Sequence, residues 1–273
     1  MKVEVYGADH SPWVQAVLLG LHEKGIDHKI RSTPPLSVLR RWGVWMPAVS
    51  IDGGPWEIES AHILEKLGFA PIDERDMRAV RFAWRGVLHR TDSPLRFFTG
   101  FSRCGDRSEA VLERSLRNFL RSFIPFYMFF VIGRSKYKRG QKEPEDFGEQ
   151  YLYWEDYVAK AAAPFLDGQA PGSQDLLLFG IVQCHASVPI PPFEPLLSDE
   201  RLSGLRGWLA AMHERFRNYT HLYSGPYFAP KLPEPNCATI FQRGVFYCGL
   251  LSLFVLFPIT VPMVIYFRHK APA

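Results

Sequence analysis

The hydrophobic pattern at the start of the chain is that of a small α/β unit. Residues 3–7 alternate with a period of two, which predicts a strand, and residues 11–24 place apolar side chains at helical spacing after a Ser-Pro pair. A second strand is expected near residues 25–30 and a short helix near residues 36–41. Two more strands around an Asp-Gly-Gly turn, then a helix that starts at a hydroxyl residue, complete the unit.

The periodicity becomes helical after a linker at residues 69–75, which contains Pro71 and a run of charge. Amphipathic helices are expected over residues 76–88, 109–130, 147–165 and 198–219. The chain is therefore predicted to hold an α/β domain over residues 1–70 and an all-α domain over residues 76–232.

A long apolar run follows near the C-terminus. The 24 residues from Gly244 to Phe267 carry no formal charge, and a helix of that length spans about 36 Å, more than a bilayer core of about 30 Å. We predict a transmembrane helix over residues 244–267, because a buried helix of a globular domain is rarely so long and apolar. Basic residues flank both ends, so the positive-inside rule does not set the orientation. The N-terminus shows no apolar run, so we expect a tail anchor with the body facing the cytoplasm.

Composition narrows the classes of function. The chain has 273 residues, 47% of them hydrophobic, and a net charge of +4, which by itself does not indicate nucleic-acid binding. Its four cysteines are far apart and form no Cys-x-x-Cys pair, and its histidines show no ligand spacing. We therefore predict no metal site and a reducing cytosolic environment.

The segment from Trp45 to Leu64 has the features of a ligand site. Pro47 enters a strand and is a candidate for a cis peptide bond, which would turn the backbone N–H and C=O of Met46 toward an extended peptide. Glu59 can bind an ammonium group, and Ser60 at a helix N-terminus can bind a carboxylate. Together these groups suit a γ-glutamyl peptide.

This segment resembles the second half of the glutathione-binding, thioredoxin-like domain of the glutathione transferase superfamily. The matching features are the hydrophobic residue and proline before a strand, then Glu-Ser and an Ile three residues later. The Ser-Pro-Trp-Val start at residues 11–14 and the Lys-Gly-Ile stop at residues 24–26 are similar to the serine-type, tau-like members. The resemblance implies an α/β thioredoxin-like domain followed by an all-α domain, with glutathione as co-substrate. It also assigns Asp175 a structural role, capping backbone N–H groups at a helix start.

Ser11 is the candidate catalytic residue. A hydroxyl at a helix N-terminus can donate a hydrogen bond to the glutathione sulfur, and with the helix dipole it favours the nucleophilic thiolate. Two alternatives remain: Ser11 only caps its helix, or the competing hydroxyl of Tyr6, at the end of the first strand, does the chemistry.

The sequence also departs from the family pattern. Serine-type relatives commonly carry basic residues where this chain has Ala16, Leu18 and Trp45. Arg40 or Arg41 could supply the missing contact to the glycine carboxylate of glutathione, although a solvated helix face explains both arginines as well.

Residues 91–142 form the least family-like part, an insert in which basic residues alternate with many phenylalanines. Such a pattern could bind nucleic acid or lie on anionic lipid headgroups, and the aromatic residues could equally form a core. Beside a predicted anchor, the headgroup interpretation is preferred over nucleic acid.

Two functions follow from these features. The first is a membrane-anchored glutathione transferase that acts on an apolar or lipid-like electrophile, with a homodimer left open. The second is a non-catalytic, metaxin-like scaffold at a membrane surface.

Overall fold

In the computed structural model, the N-terminal residues form a four-stranded mixed sheet in the order β2-β1-β3-β4. The strands are β1 Val3–Tyr6, β2 His28–Arg31, β3 Ala48–Ile51 and β4 Glu57–Ile58. β1 is parallel to β2 and antiparallel to β3, and β3 is antiparallel to β4. Together with the three helices that connect and follow the strands, this is the thioredoxin-like α/β arrangement that the sequence predicted.

The structure describes residues 1–84, 93–103, 110–139, 146–161, 163–187, 193–223 and 238–270. Parts of the predicted insert, several of its basic residues, and the proline-rich segment at 227–235 lie outside these residues. The helices are α1 Pro12–Glu23, α2 Leu36–Trp42, α3 Ser60–Lys66, α4 Glu74–Ala83, α5 Pro94–Arg103, α6 Val111–Arg121, α7 Phe123–Arg139, α8 Glu149–Lys160, α9 Ser173–Ser187, α10 Phe193–Ser198, α11 Ser203–Arg215, α12 Ile240–Val255 and α13 Phe257–Lys270, with a 3₁₀ turn at Glu200–Leu202. The part beyond the sheet is thus helical, as predicted.

The chain divides into two compact units. The first, the sheet unit, comprises Met1–Gly86 and Asp146–Leu232, and the second, the bundle unit, comprises Val87–Glu145 and Pro233–Ala273. The residues of the insert therefore belong with the C-terminal segment, and the remaining helices belong with the sheet.

The core of the sheet unit is built on α1 and α9. Val3, Val5 and Val49 point from one face of the sheet into this core, as the alternation of a strand requires. α9 is buried along almost its whole length. A Cβ added at Gly180 would lie 2.4 Å from the carbonyl oxygen of Pro12, so this glycine lets α9 approach the first turn of α1.

Asp175 has the structural role expected from the sequence. Its buried carboxylate accepts hydrogen bonds from the backbone N–H groups of Leu166, Asp167 and Gly172 at 2.8–3.1 Å, and from the indole of Trp208 at 2.7 Å. These bonds fold the preceding loop onto the start of α9.

The bundle unit shows how the C-terminal segment differs from the expectation. The single helix predicted over residues 244–267 is instead two helices, α12 and α13, which are bent by 93° at Leu256. Pro258 explains the break, because it has no N–H for the carbonyl of Phe254 and its ring clashes with the preceding turn of a continuous helix. Among the described residues, none of the helices taken alone meets the length and hydropathy expected of a membrane span, and α12 and α13 meet them only when counted together across the bend.

Some aromatic residues of the insert form a core, as one interpretation of the sequence proposed. Phe97, Phe98, Phe101 and Phe126 are buried within the bundle unit. Phe119 is exposed instead, on the outer side of α6.

Candidate functional site

The candidate site is defined by one row of residues across the sheet. Tyr6 of β1 is opposite Ala48 of β3, and Ala48 is opposite Ile58 of β4. Adjacent strands lie about 4.8 Å apart, so the row spans about 10 Å. The loop after Tyr6, the residues before Ala48 and the residues after Ile58 therefore emerge at the same end of the sheet.

Ser11 lies in the first of these loops, at the N-cap position of α1. Its carbonyl accepts the first helical hydrogen bond, from Gln15 at 2.9 Å, but its side chain makes no capping bond. Within the described residues, the Ser11 hydroxyl has no hydrogen-bond partner. The hydroxyl is therefore available to a ligand at the positive end of the α1 dipole.

Met46 and Pro47 lie in the second segment, and the peptide bond between them is cis, as the sequence analysis expected. The backbone N–H of Ala8 contacts the Met46 sulfur at 3.4 Å, which places this segment beside the loop that leads to Ser11. The N–H and C=O of Met46 have no hydrogen-bond partner in the described part of the chain. An extended peptide could therefore pair with them as an added strand would.

Glu59 and Ser60 form the third segment, between β4 and α3. Glu59 has φ 76° and ψ 106°, a left-handed conformation that a non-glycine residue rarely adopts. Its carboxylate is exposed and makes no ion pair with any described residue. Ser60 is buried at the first position of α3, where the free N–H groups of the helix can bind an anion.

The hydroxyl of Tyr6, the competing catalytic candidate, already has a hydrogen-bond partner. Its side chain is buried, and its hydroxyl donates to the carbonyl of Val44 at 3.4 Å. Burial raises the pKa of Tyr6 well above its usual value, so the phenol stays protonated. This geometry suits a packing role.

Arg40 and Arg41 make no hydrogen bond or ion pair with a residue of this row in the described part of the chain. Arg40 and Arg41 are exposed on α2, and the Arg41 guanidinium stacks 4.5 Å from the ring centroid of Trp42. Ala16 and Leu18 are fully buried, so these positions serve the core and carry no ligand contact.

Sequence reasoning missed the group that holds the Ser11 loop in place. The buried Gln15 amide donates to the carbonyl of Asp9 and, at 3.1 Å, to that of His221, and it accepts from the Tyr219 hydroxyl at 3.1 Å. The His221 ring also lies 3.4 Å from the Asp9 carboxylate. In the sequence, the only sign of these hydrogen bonds is Gln15, a polar residue within the apolar stretch of α1.

A separate cavity of about 290 Å³ lies beside the sheet. Its lining includes Glu4, Arg31, Ser50 and Trp56, and Glu4 pairs with Arg31 at 2.9 Å. None of the candidate residues lines it, so this cavity is separate from the proposed site.

Comparison with solved structures finds glutathione S-transferases with low identity. A tau-class enzyme from mango, Mangifera indica, is 15% identical, with 91% of this chain and 97% of that chain covered and a TM-score of 0.44. Rice glutathione S-transferase 1, in complex with glutathione, is 18% identical, with 92% and 98% covered and a TM-score of 0.42. An epsilon-class enzyme from the housefly, Musca domestica, is 14% identical, with 98% of both chains covered and a TM-score of 0.42.

No protein-family model and no curated protein sequence matches the chain. With TM-scores below 0.5, the structural similarities establish neither a family nor a function, and the functional argument depends on the residues themselves.

Proposed function

We propose that the sheet unit binds glutathione and activates its thiol for attack on an apolar electrophile. The observation that carries this proposal is the row Tyr6–Ala48–Ile58, which brings the three predicted segments to one end of the sheet. Each segment there offers polar groups without a partner in the described residues: the Ser11 hydroxyl, the Met46 peptide groups and the Glu59 carboxylate.

Each group has a role in this mechanism. Glu59 binds the γ-glutamyl ammonium group, and Ser60 with the first N–H groups of α3 binds the adjacent carboxylate. The Met46 backbone pairs with the cysteinyl residue as a neighbouring strand would. The Ser11 hydroxyl donates to the sulfur, so the thiol releases its proton to water and the thiolate is held ready beside the electrophile. Conjugation, peroxide reduction and thiol-dependent cleavage share this first step.

The test is the Ser11→Ala variant, assayed with glutathione and a model aromatic halide. We expect turnover to fall by at least about tenfold, the low end of the cost of losing one placed hydrogen bond to developing charge. The pKa of the bound thiol should rise, which the ultraviolet absorbance of the thiolate measures. Tyr6→Phe is the matched control and should keep turnover within about twofold; an unaltered rate in Ser11→Ala would place the chemistry elsewhere.

The alternative is a non-catalytic, metaxin-like scaffold. The apolar, buried residues Ala16 and Leu18, at positions where serine-type relatives commonly carry basic ones, favour it, because the glycine carboxylate of glutathione then loses a partner. Under this alternative neither glutathione binding nor turnover is expected. In both cases we place the sheet unit in the cytoplasm, at a membrane surface.

A further inference from the structure

The bundle unit carries nearly all the exposed large hydrophobic side chains of the described residues. Outside it only Met1, Leu36 and Phe82 belong to this group. Inside it they lie on α5, α6, α7, α12 and α13 and in the bend at Leu256. A concentration of exposed apolar side chains in one unit points to an interaction site.

Helix α6 shows the reverse of the burial expected in water. Leu112, Leu116 and Leu120, spaced by one helical turn, are 83%, 56% and 50% exposed. On the other side of the helix, Asn118 and Arg121 are buried. The Arg121 guanidinium lies 5.8 Å from the ring centroid of Phe246 on α12 and donates to the carbonyl of Phe101. Glu113 and Arg117 are exposed as well and form an ion pair beside the leucines. A helix in water would turn the leucines inward, so the leucine stripe fits an apolar surface that has a polar border.

Close backbone contact joins α12 to the end of α6. A Cβ added at Gly249 of α12 would lie 2.5 Å from the Ser122 hydroxyl oxygen and 2.6 Å from the Phe119 carbonyl oxygen. Only glycine allows α12 to meet the end of α6 at this distance, so the C-terminal helices are packed firmly on the rest of the bundle unit.

The bend between α12 and α13 is apolar on its outside, and a side chain bonds one of the carbonyls that the bend frees. Residues 254–259 are all exposed, including Val255 at 70% and Ile259 at 66%. The break leaves the carbonyl of Leu253 without its helical N–H partner. The Thr260 hydroxyl donates a hydrogen bond to this carbonyl at 2.8 Å. Pro258 has no N–H that needs a partner. Backbone in lipid requires such internal partners.

Both ends of this helix pair carry basic residues, as suits an anionic headgroup surface. Arg243 lies near the start of α12, while Arg268, His269 and Lys270 end α13, and residues 238–270 contain no Asp or Glu. The arms, of 16 and 14 residues, are about 24 and 21 Å long at 1.5 Å per residue. With the 93° bend, the apex lies about 16 Å from the line that joins the two ends, about half of a bilayer core of about 30 Å.

We propose that the bundle unit is a re-entrant membrane anchor, which enters one leaflet with the Leu256 bend and returns, leaving both basic ends at the same anionic surface. The occupant of the apolar surface is a lipid bilayer, because a second copy of the chain would bring like charges together at both ends. This arrangement also explains why basic residues flank both sides of the apolar run: both flanks lie on one side of the membrane. The proposal does not depend on glutathione binding.

The test is cysteine labelling of the full-length chain, synthesised in the presence of sealed vesicles of phosphatidylcholine and phosphatidylglycerol. The four native cysteines are replaced by alanine, and single cysteines are introduced as Ile240→Cys, Val255→Cys and His269→Cys, three exposed positions. Leu36→Cys, exposed in the sheet unit, is the control that should label with and without vesicles. A membrane-impermeant maleimide then reports which positions face the outer solution, and circular dichroism checks that each variant folds.

We expect Ile240→Cys and His269→Cys to label in intact vesicles while Val255→Cys is protected at least tenfold. Protection of both Val255→Cys and His269→Cys, with His269→Cys labelled once detergent opens the vesicles, would mean a single crossing and would overturn the proposal. Equal labelling of all three sites in the presence of vesicles would mean that no bilayer covers the bend, and would also overturn it.

Discussion

At the scale of single residues, Glu59 shows a conflict between backbone preference and chemistry. A glycine would adopt φ 76° and ψ 106° with less strain than a glutamate, for which such a conformation costs about 1–3 kcal/mol. Such strain concentrates at functional sites. The sequence predicted Glu59 as a ligand for an ammonium group, but not its conformation, because a lone Glu-Ser pair carries no backbone signal.

Replacing Glu59 separates these two contributions. Glu59→Gly should leave the free energy of unfolding unchanged or raise it by about 1–2 kcal/mol, since strain is relieved. The same variant should weaken glutathione binding at least about tenfold, because a charge-assisted hydrogen bond is lost. Glu59→Ala is the control, with the same loss of binding but the strain retained. Urea unfolding measures the free energy of unfolding, and calorimetry measures the affinity for glutathione. A Glu59→Gly variant that is less stable than Glu59→Ala would contradict the assignment of strain.

At the scale of elements, the strands and helices of the first 70 residues were predicted well. Period-two alternation, the Ser-Pro helix start and the glycine-rich turn are local signals, and each marks an element boundary. The sequence predicted one helix over residues 244–267, and a uniformly apolar run has no periodicity to show where one helix ends and the next begins. Whether a proline only kinks such a helix or divides it depends on whether neighbouring groups satisfy the freed backbone, as Thr260 does here.

The contact between α9 and α1 gives a prediction at this scale. Gly180→Ala must displace the first turn of α1, since the new Cβ would lie 2.4 Å from the Pro12 carbonyl oxygen. We expect a loss of about 1–3 kcal/mol in the free energy of unfolding, together with lower glutathione-dependent turnover because Ser11 precedes Pro12. Gly207→Ala on α11, whose Cβ would meet nothing within 4 Å, is the matched control and should gain up to about 1 kcal/mol. Equal stability of the two variants would argue against this packing.

At the scale of the whole molecule, two buried histidines make stability depend on pH. Burial lowers the pKa of His185 to about 3 and that of His213 to about 4, whereas the unfolded chain titrates near 6.5. Between those values the unfolded state binds more protons, so stability is fully present above about pH 6.5 and falls as the pH decreases. His185 also bonds the Tyr151 hydroxyl at 3.0 Å.

We expect the free energy of unfolding to fall below pH 6.5 by up to about 2.7 kcal/mol per pH unit, one proton for each histidine. His185→Phe should reduce this slope by about half, whatever its effect at neutral pH. Urea unfolding from pH 7.5 to 5 measures the slope above the range where most carboxylates titrate. A slope unchanged by the substitution would mean that His185 is not buried in its neutral form.

The division of the chain into units was beyond the sequence. The bundle unit joins residues that are more than a hundred positions apart, as in the hydrogen bond between Thr99 and Tyr247. Only spatial pairing reveals that the insert and the C-terminal helices share one core. The loops that carry Ser11, Met46 and Glu59 emerge at one end of the sheet because of the register of β1, β3 and β4, which local signals in the sequence do not give.

The most direct test of the central claim is calorimetric titration of the full-length protein with glutathione, in parallel with the dipeptide cysteinylglycine. The groove is proposed to recognise the γ-glutamyl end through Glu59 and Ser60, so glutathione should give saturable heat at millimolar concentration or below. The dipeptide, which lacks that end, should bind at least about tenfold more weakly. Absence of heat with glutathione, or equal affinity for both ligands, would contradict the proposed site.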